Sequence, residues 1–232
     1  MALQIKAENG DAASQLELGM DNYSGQGLPQ NFVEAVKWFQ KAADQGLAPA
    51  QFDLGAMYHT GKGVTQDDKE ALKWHLKAAG QGHIIAQYSV GRLCLFGGVN
   101  LPPNQVEAVK WFHKAAEQEF VYAQFGLGLC YYNGWGTTKD YAEAAKWYLK
   151  AAGQGNANAQ YDIGTMFYEG RGVPRNYIEA YRWLNLAVAQ GNTNAIQKRN
   201  LLIQFMTPEQ IAKGDQLSDG SVIPKKHTVF GF

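Results

Sequence analysis

The chain repeats itself with a period of 36 or 37 residues, and this period constrains its fold more than any other feature of the sequence. Five tryptophans recur at that spacing, at Trp38, Trp74, Trp111, Trp147 and Trp183. Five glycines precede them by 19 residues, or by 20 in the third copy, at Gly19, Gly55, Gly91, Gly128 and Gly164. Self-similarity at such a period is typical of repeat proteins, in which each unit buries its apolar face against its neighbours.

Each unit is predicted to contain two helices. In the first, helix A, apolar residues such as Ala50, Leu54 and Met57 recur along one helical face. Glycine inside a helix costs about 1 kcal/mol relative to alanine. Its recurrence at Gly55 and the equivalent positions therefore predicts that a neighbouring helix packs directly against the backbone there. Helix A is predicted to end at a Gly-x-Gly turn, which starts at Gly61 in the second copy.

The second helix, helix B, is predicted to begin after an asparagine or aspartate that caps its amino end. These capping residues are Asn31, Asp67, Asn104, Asp140 and Asn176. A glutamate three residues later completes the spacing of a capping box. Lysines follow on the same face, so acid precedes base as the helix dipole favours. Helix B is predicted to stop at a glycine in four copies and at Glu119 in the third.

The two ends of the chain depart from the repeat. Residues 192–217 predict a sixth, modified unit, in which Arg199 replaces a core leucine, and a polar outer face suits a terminal cap. The tail is expected to be extended or flexible because Pro224 and several β-branched residues disfavour a helix. The predicted boundaries are about 11–46, 47–82, 83–119, 120–155 and 156–191 for the repeats, 192–217 for the cap, and 218–232 for the tail.

Composition excludes several classes of protein. Lys+Arg and Asp+Glu both number 21, so no nucleic-acid partner is expected. The sequence contains no run of 18 apolar residues, so we expect no membrane insertion. Residues 1–6 lack the pattern of a signal peptide, which slightly favours the cytoplasm, whereas trimming of a longer precursor would allow a periplasmic or secreted location. Cys94 and Cys130 are too few for a disulfide framework and are expected to be small buried thiols.

The sequence contains no motif that predicts catalysis. His-Glu-x-x-His, Cys-x-x-Cys and Gly-x-Ser-x-Gly are all missing. The Gly-x-Gly pairs follow a helix rather than a strand, so we interpret them as turns and not as a phosphate-binding loop. We therefore expect no catalytic residues, no metal and no cofactor.

The unit resembles the Sel-1-like repeat family, a relative of the tetratricopeptide repeat. The resemblance rests on Ala-Gln-Phe-Asp-Leu-Gly-Ala-Met-Tyr at residues 50–58, Gly-Lys-Gly-Val at 61–64, Asp67, Ala71, Trp74, the alanine pair at 78–79 and Gly82, and on their recurrence in the other copies. It implies an all-α, right-handed α-solenoid of five repeats with a cap, whose A helices line a concave groove.

The same resemblance implies a role as an adaptor or scaffold for protein complexes. Some cysteine-rich secreted members have been linked to β-lactam binding or hydrolysis, but they carry a cysteine pair in nearly every repeat and this chain does not. We therefore predict a scaffold that binds a protein or peptide in its groove without catalysis. An enzyme acting on cell-wall or β-lactam compounds is the alternative.

Variable positions on helix A predict where a partner binds, because they change while their neighbours repeat. Trp135 is added to them because tryptophan is enriched in binding hot spots. The insertion in the third copy is expected to bring Val99 and Leu101 to the same edge, and the tail is a further candidate for self-association. The predicted binding residues are Tyr23, Asp53, His59, Arg92, Leu95, Leu129, Tyr132, Trp135, Asp162 and Tyr168. An ordinary solvated surface, with Trp135 packed over a neighbouring turn, is the alternative.

Overall fold

The computed structural model describes residues 2–219, which form thirteen α-helices and no β-strand apart from one isolated bridge between Gly98 and Leu101. The helices are α1 (Ala2–Glu8), α2 (Ala12–Ser24), α3 (Phe32–Asp44), α4 (Ala48–Thr60), α5 (Asp68–Gly80), α6 (Ile84–Phe96), α7 (Gln105–Glu117), α8 (Val121–Asn133), α9 (Tyr141–Gly153), α10 (Ala157–Glu169), α11 (Tyr177–Ala189), α12 (Thr193–Ile203) and α13 (Pro208–Asp219). Within these residues no helix is both long and apolar enough to cross a bilayer.

The chain divides into two compact units at Gln118 and Glu119. The first contains α1 to α7, and the second contains α8 to α13. In both, helix A packs against helix B of its own repeat, as α4 does against α5 and α10 against α11. Helix B also packs against the next helix A, as α3 does against α4 and α9 against α10. The predicted all-α architecture of two-helix repeats is therefore confirmed.

The glycine inside each helix A lies against the residue that follows the tryptophan in helix B of the same repeat. These residues are Phe39, His75, Phe112, Tyr148 and Leu184. A Cβ atom at Gly19 or Gly91 would lie 2.6 Å from the phenylalanine ring, and one at Gly164 would lie 2.9 Å from Leu184. The close approach predicted from the glycine spacing is confirmed, and its partner is a large side chain packed onto bare backbone.

Trp38, Trp74 and Trp183 are buried where successive helix pairs of one unit meet. Trp38 shares a hydrophobic cluster with Ala7 of the preceding helix and Leu18 of its own repeat. Trp74 likewise joins a cluster that includes Ala42 from the previous repeat. A lysine one turn later covers the ring in four repeats, at distances of 3.8 to 4.2 Å from the ring centre. Within each unit, these tryptophans therefore join one helix pair to the next.

A chain of glutamine hydrogen bonds also links the repeats. The buried Gln51 side chain donates to the carbonyl of Ala43 in the preceding helix B, at 3.1 Å. Its own side-chain oxygen accepts from Gln81, which caps helix B of the same repeat, at 2.8 Å. The other described pairs follow the same pattern: Gln45 with Gln15, Gln118 with Gln87, Gln154 with Gln124 and Gln190 with Gln160. Because the glutamines of helix A are buried, each of their side-chain amides needs a partner.

The helix B caps are formed as predicted, but the capping box is not. All five Asn or Asp side chains accept from the backbone amide three residues later. The glutamate at that position pairs with the basic residue three positions further on instead, as Glu70 does with Lys73 at 2.8 Å. The amide that the glutamate would have bound donates to helix A, for example from Asp67 to the Tyr58 carbonyl at 3.0 Å. That bond fixes the start of helix B to the end of helix A.

The turn glycines are required by backbone conformation and by space. Gly61 and Gly63 have φ of 67° and 71°, in the left-handed region. A side chain at Gly63 would also collide with the backbone carbonyl of Phe32 in the preceding repeat. The third repeat differs, because Glu119 adopts a φ of 62° at the predicted stop of its helix B.

The last two helices depart from the repeat. Helices α12 and α13 both pack against α11. Arg199, in the position of a core leucine, donates to Asn185 at 2.8 Å. Helix α13 ends at Asp219 rather than before residue 218. Ser218 is buried, and its hydroxyl donates to the Gly214 carbonyl at 2.9 Å. The rest of the predicted tail, residues 220–232, lies outside the described residues.

We predict that Gly128 and Gly153, two glycines in one repeat, respond oppositely to alanine. At Gly128 the new methyl group would overlap the Tyr148 ring, so Gly128→Ala should destabilise the protein by about 1 to 3 kcal/mol. At Gly153 no atom lies within 4 Å and the backbone is helical, so Gly153→Ala should add up to about 1 kcal/mol. Denaturant unfolding of both variants measures the difference, and equal effects would show that the glycine contact is unimportant.

Candidate functional site

Two of the predicted binding tyrosines are engaged within the scaffold. Tyr23, at the end of α2, packs on Phe32 with ring centres 5.4 Å apart. Its hydroxyl accepts from Lys62, the residue between the turn glycines of the next repeat, at 2.8 Å. Tyr132 is held in the same way by Tyr141 and by a hydrogen bond from Arg171. Both tyrosines are half-buried, so much of their surface is taken by contacts between repeats.

His59, which occupies the position of Tyr23 in the second repeat, helps to anchor the inserted turn of the third repeat. His59 and the buried Asp68 form a hydrogen bond of 2.5 Å between Nδ1 and Oδ1. The second oxygen of Asp68 accepts from the backbone amide of Val99, also at 2.5 Å. Asn100 has a φ of 59°, and Leu101 closes the turn through its bridge to Gly98. The insertion is therefore an ordered turn fixed by a buried carboxylate.

The expectation that Leu95 is part of the binding surface is wrong. Only 4% of its surface is exposed, because an aliphatic side chain without a hydroxyl gains from leaving water. The neighbouring Phe96, which the column analysis did not select, is 63% exposed. Val99 and Val106 are 45% and 59% exposed on the same repeat. We call Phe96, Val99 and Val106 the third-repeat edge. The chain insertion and the run of apolar residues around it were the sequence signal for this surface.

Trp135 is half-buried in the turn after α8, and its role as a binding anchor stays a prediction. Its backbone amide donates to the Cys130 carbonyl at 2.9 Å. The predicted common patch with Leu101 combines residues of both units and stays a prediction.

The remaining predicted residues lie on exposed or half-buried parts of the A helices. Arg92 is exposed on α6, and Leu129 is half-buried on α8. Tyr168, on α10, is half-buried and packs near Tyr177 and Phe205, with ring centres 6.0 and 6.3 Å away. Phe205 itself is largely exposed. The second unit thus has an aromatic surface where α10 meets the cap.

Asp53 and Asp162 occupy the same position in α4 and α10. Both are half-buried, and neither has a hydrogen bond or an ion pair among the described residues. Burial raises the pKa of each carboxyl from 3.8 to about 7. Each carboxylate has therefore lost hydration without gaining a partner, which is uncommon for a group that only serves the fold.

Histidines and cysteines give no sign of a reactive centre in residues 2–219. His75 is buried against Phe52, and burial lowers its pKa to about 3, so it is neutral. Cys94 and Cys130 are free and buried, as predicted, and burial raises the pKa of Cys130 to about 12. A reactive thiol needs a lowered pKa instead. Over the same residues no three His, Cys, Asp or Glu side chains are grouped to hold a metal.

Comparison with known proteins identifies the repeat. The Sel1 repeat model matches residues 12–47, 48–83, 84–120, 121–156 and 157–192, each starting one residue later than predicted. A Sel1 repeat protein from Oxalobacter formigenes is 30% identical over 90% of this chain and 88% of its own, with a TM-score of 0.79. Protein c5321, a protective antigen present in uropathogenic Escherichia coli strains, is 29% identical over 93% of this chain, with a TM-score of 0.60. The chain spans 54% of that protein's length. No curated protein matches the chain at a significant level.

The pKa of Asp162 predicts how stability depends on pH. The folded protein holds this proton up to about pH 7, whereas the unfolded chain releases it near its ordinary pKa of 3.8, so the folded state loses stability as pH rises between those values. Asp162→Asn removes that loss. The melting temperature of the variant should exceed that of the wild type by a margin that grows from pH 4 to pH 8.

The matched control is Glu17→Gln, which alters an exposed carboxyl in the same column. Its melting temperature should follow the wild type at each pH. A constant margin for Asp162→Asn across this range would contradict the burial argument.

Proposed function

Because the chain belongs to the Sel1 repeat family, whose members are generally protein-interaction scaffolds, we propose that it binds a segment of a partner protein along its A helices and the third-repeat edge. The observation that carries this proposal is the third-repeat edge itself. Phe96, Val99 and Val106 expose large apolar side chains around an inserted turn. Exposed apolar groups that lie together usually mark an interaction site.

The inserted turn has a fixed structure, which supports a role in binding over an insertion that has no function. A surface loop that serves nothing has no need of a buried anchor, and an extra residue is tolerated in a mobile loop. Here Asp68 is 2% exposed and receives hydrogen bonds from His59 and from the turn backbone. The anchor holds Val99 in one place before any partner arrives, which lowers the entropic cost of binding.

The variable positions of the A helices are further proposed contacts in each unit taken by itself. Arg92 on α6 is exposed, and Leu129 and Tyr168 on the second unit are half-buried. These positions vary from repeat to repeat, so the scaffold does not dictate them. A preformed helical scaffold with variable side chains suits recognition of a peptide segment. We propose that Tyr23 and Tyr132 contribute mainly by fixing the repeats, because the next turn already holds them.

The proposal assigns no catalysis to the chain. Its support is the chemistry of the two cysteines, whose raised pKa values and burial make them poor nucleophiles. A nitrocefin assay tests the alternative. Turnover of the β-lactam that a single substitution abolishes would overturn this part of the proposal.

Affinity capture with two variants tests the binding edge. The triple variant Phe96→Ser, Val99→Ser, Val106→Ser should lose the partner that the wild type captures from the source cells, with a reduction of about tenfold or more. Val33→Ser is the matched control, because Val33 is the equivalent of Val106 in the first repeat and is 54% exposed. This control should retain the partner.

Melting temperatures separate binding from folding. The three replaced side chains are exposed, so the triple variant should melt close to the wild type. Undiminished capture by a folded triple variant would refute the edge as a binding surface. If Val33→Ser reduced the amount of captured partner equally, exposed apolar groups would be shown to bind the partner non-specifically.

A further inference from the structure

Asp162 is a half-buried acid without a partner in a unit whose comparable acids are paired. Glu143 binds Lys146 at 2.7 Å, and Glu179 binds Arg182 at 3.3 Å. Glu169 binds both Arg171 and Lys198, at 3.2 and 3.3 Å. No described residue forms such a pair with Asp162, although it is less exposed to water than most surface carboxylates.

The neighbourhood of Asp162 is aromatic and apolar. Burial, and after it the negative charge of Asp162, raises the pKa of Tyr148, the ring that faces Gly128. The Tyr148 ring centre lies 5.8 Å from that of Phe125 and 6.4 Å from that of Tyr132. Phe125, Leu129 and Tyr132 are half-buried and pack against the same cluster as Tyr148. They all belong to α8, which contains no charged residue.

Such an arrangement is complementary to a long basic side chain. The aliphatic stem of lysine or arginine gains from apolar surface while its charged end seeks a carboxylate. Ring faces add attraction for the cation. The unit already shows this chemistry, because Lys198 lies over the Tyr168 ring at 5.2 Å while it binds Glu169. Among residues 119–219, Arg171 already lies over the Tyr132 ring at 5.7 Å, whereas no cation is paired with the Asp162 carboxylate.

The first unit carries the same feature at the equivalent position. Asp53 in α4 is also half-buried and unpaired among the described residues, and it has the same raised pKa as Asp162. The other repeats have Glu17, Ser89 and Gly126 there. The repeat fold therefore does not require an acid at this position. Its presence in two repeats, at a cost to stability, points to a role in binding.

We propose that Asp162, with the half-buried Phe125 and Leu129 of α8, recognises a lysine or arginine side chain of the bound protein segment. This inference rests on the proposed function and names the chemistry of the partner. The incoming cation restores to the carboxylate the favourable interaction that it lost on burial, so binding and ionisation of Asp162 favour each other. Asp53 is the corresponding site of the first unit.

An NMR titration with small probes tests the site directly. The probes are N-acetyl-lysine methylamide, N-acetyl-arginine methylamide and the uncharged N-acetyl-norleucine methylamide. The two basic probes should shift the resonances of Phe125, Leu129 and Asp162 at pH 8, whereas the norleucine probe should not. Asp162→Asn should weaken the basic probes about tenfold or more, as expected when a hydrogen bond to a charged group is lost. Glu17→Gln, with the same loss of charge on an exposed residue, should leave their affinity unchanged.

Several outcomes would overturn the inference. They are equal shifts with the norleucine probe, shifts confined to other residues, the same affinity for wild type and Asp162→Asn, or no binding of either basic probe at millimolar concentration. Loss of folding does not confuse the result, because asparagine is close in size and Asp162→Asn is expected to melt higher than the wild type. If the basic probes bind as described but the third-repeat variant still captures its partner, the binding edge fails and the Asp162 site stands. If only the edge variant behaves as expected, the Asp162 site fails alone.

Discussion

The contact between a helix A glycine and the large residue after the helix B tryptophan sets the geometry of every repeat. Without a Cβ at Gly19 or Gly91, a phenylalanine ring lies directly on the backbone of the facing helix. Any side chain there would force the two helices apart, and the tryptophan in the same helix B would move with them. The glycine is unfavourable for the isolated helix but favourable for the pair, which explains its recurrence.

Once this distance is fixed, polar contacts join repeats at matching points. The buried Gln51 of helix A reaches back to a carbonyl of the preceding helix B, and the capping Gln81 of its own repeat donates to it. The turn residues Lys62 and Arg171 reach tyrosines of the preceding repeats. The positions that these contacts leave unused are the ones that vary. Function is therefore expected in the variable helix A positions and in the inserted turn, and not in the repeated columns.

Much of the fold could be predicted from the sequence because a period shows which residues have equivalent surroundings. The glycine contacts, the caps of helix B and its stop at Glu119 followed from residue type and register. The glutamine chain was also visible as two repeated columns, but an amide gives no clue to its distant partner. The binding surface was harder to predict. Whether the Tyr23 hydroxyl is available to a partner depends on Lys62, which lies 39 residues later in the chain. Leu95 is buried, although tyrosines at the equivalent position of other repeats stay near the surface.

The central claim, that the glycine contact determines repeat packing, is tested most directly by a double-mutant cycle in the fourth repeat. Unfolding free energies are measured for the wild type, Gly128→Ala, Tyr148→Ala and the double variant. If the Tyr148 ring is what excludes a methyl group at position 128, Gly128→Ala should be destabilising in the wild type and neutral or stabilising beside Tyr148→Ala. The expected coupling energy is at least about 1 kcal/mol. Additive effects would show that the glycine is needed for another reason and would contradict the account.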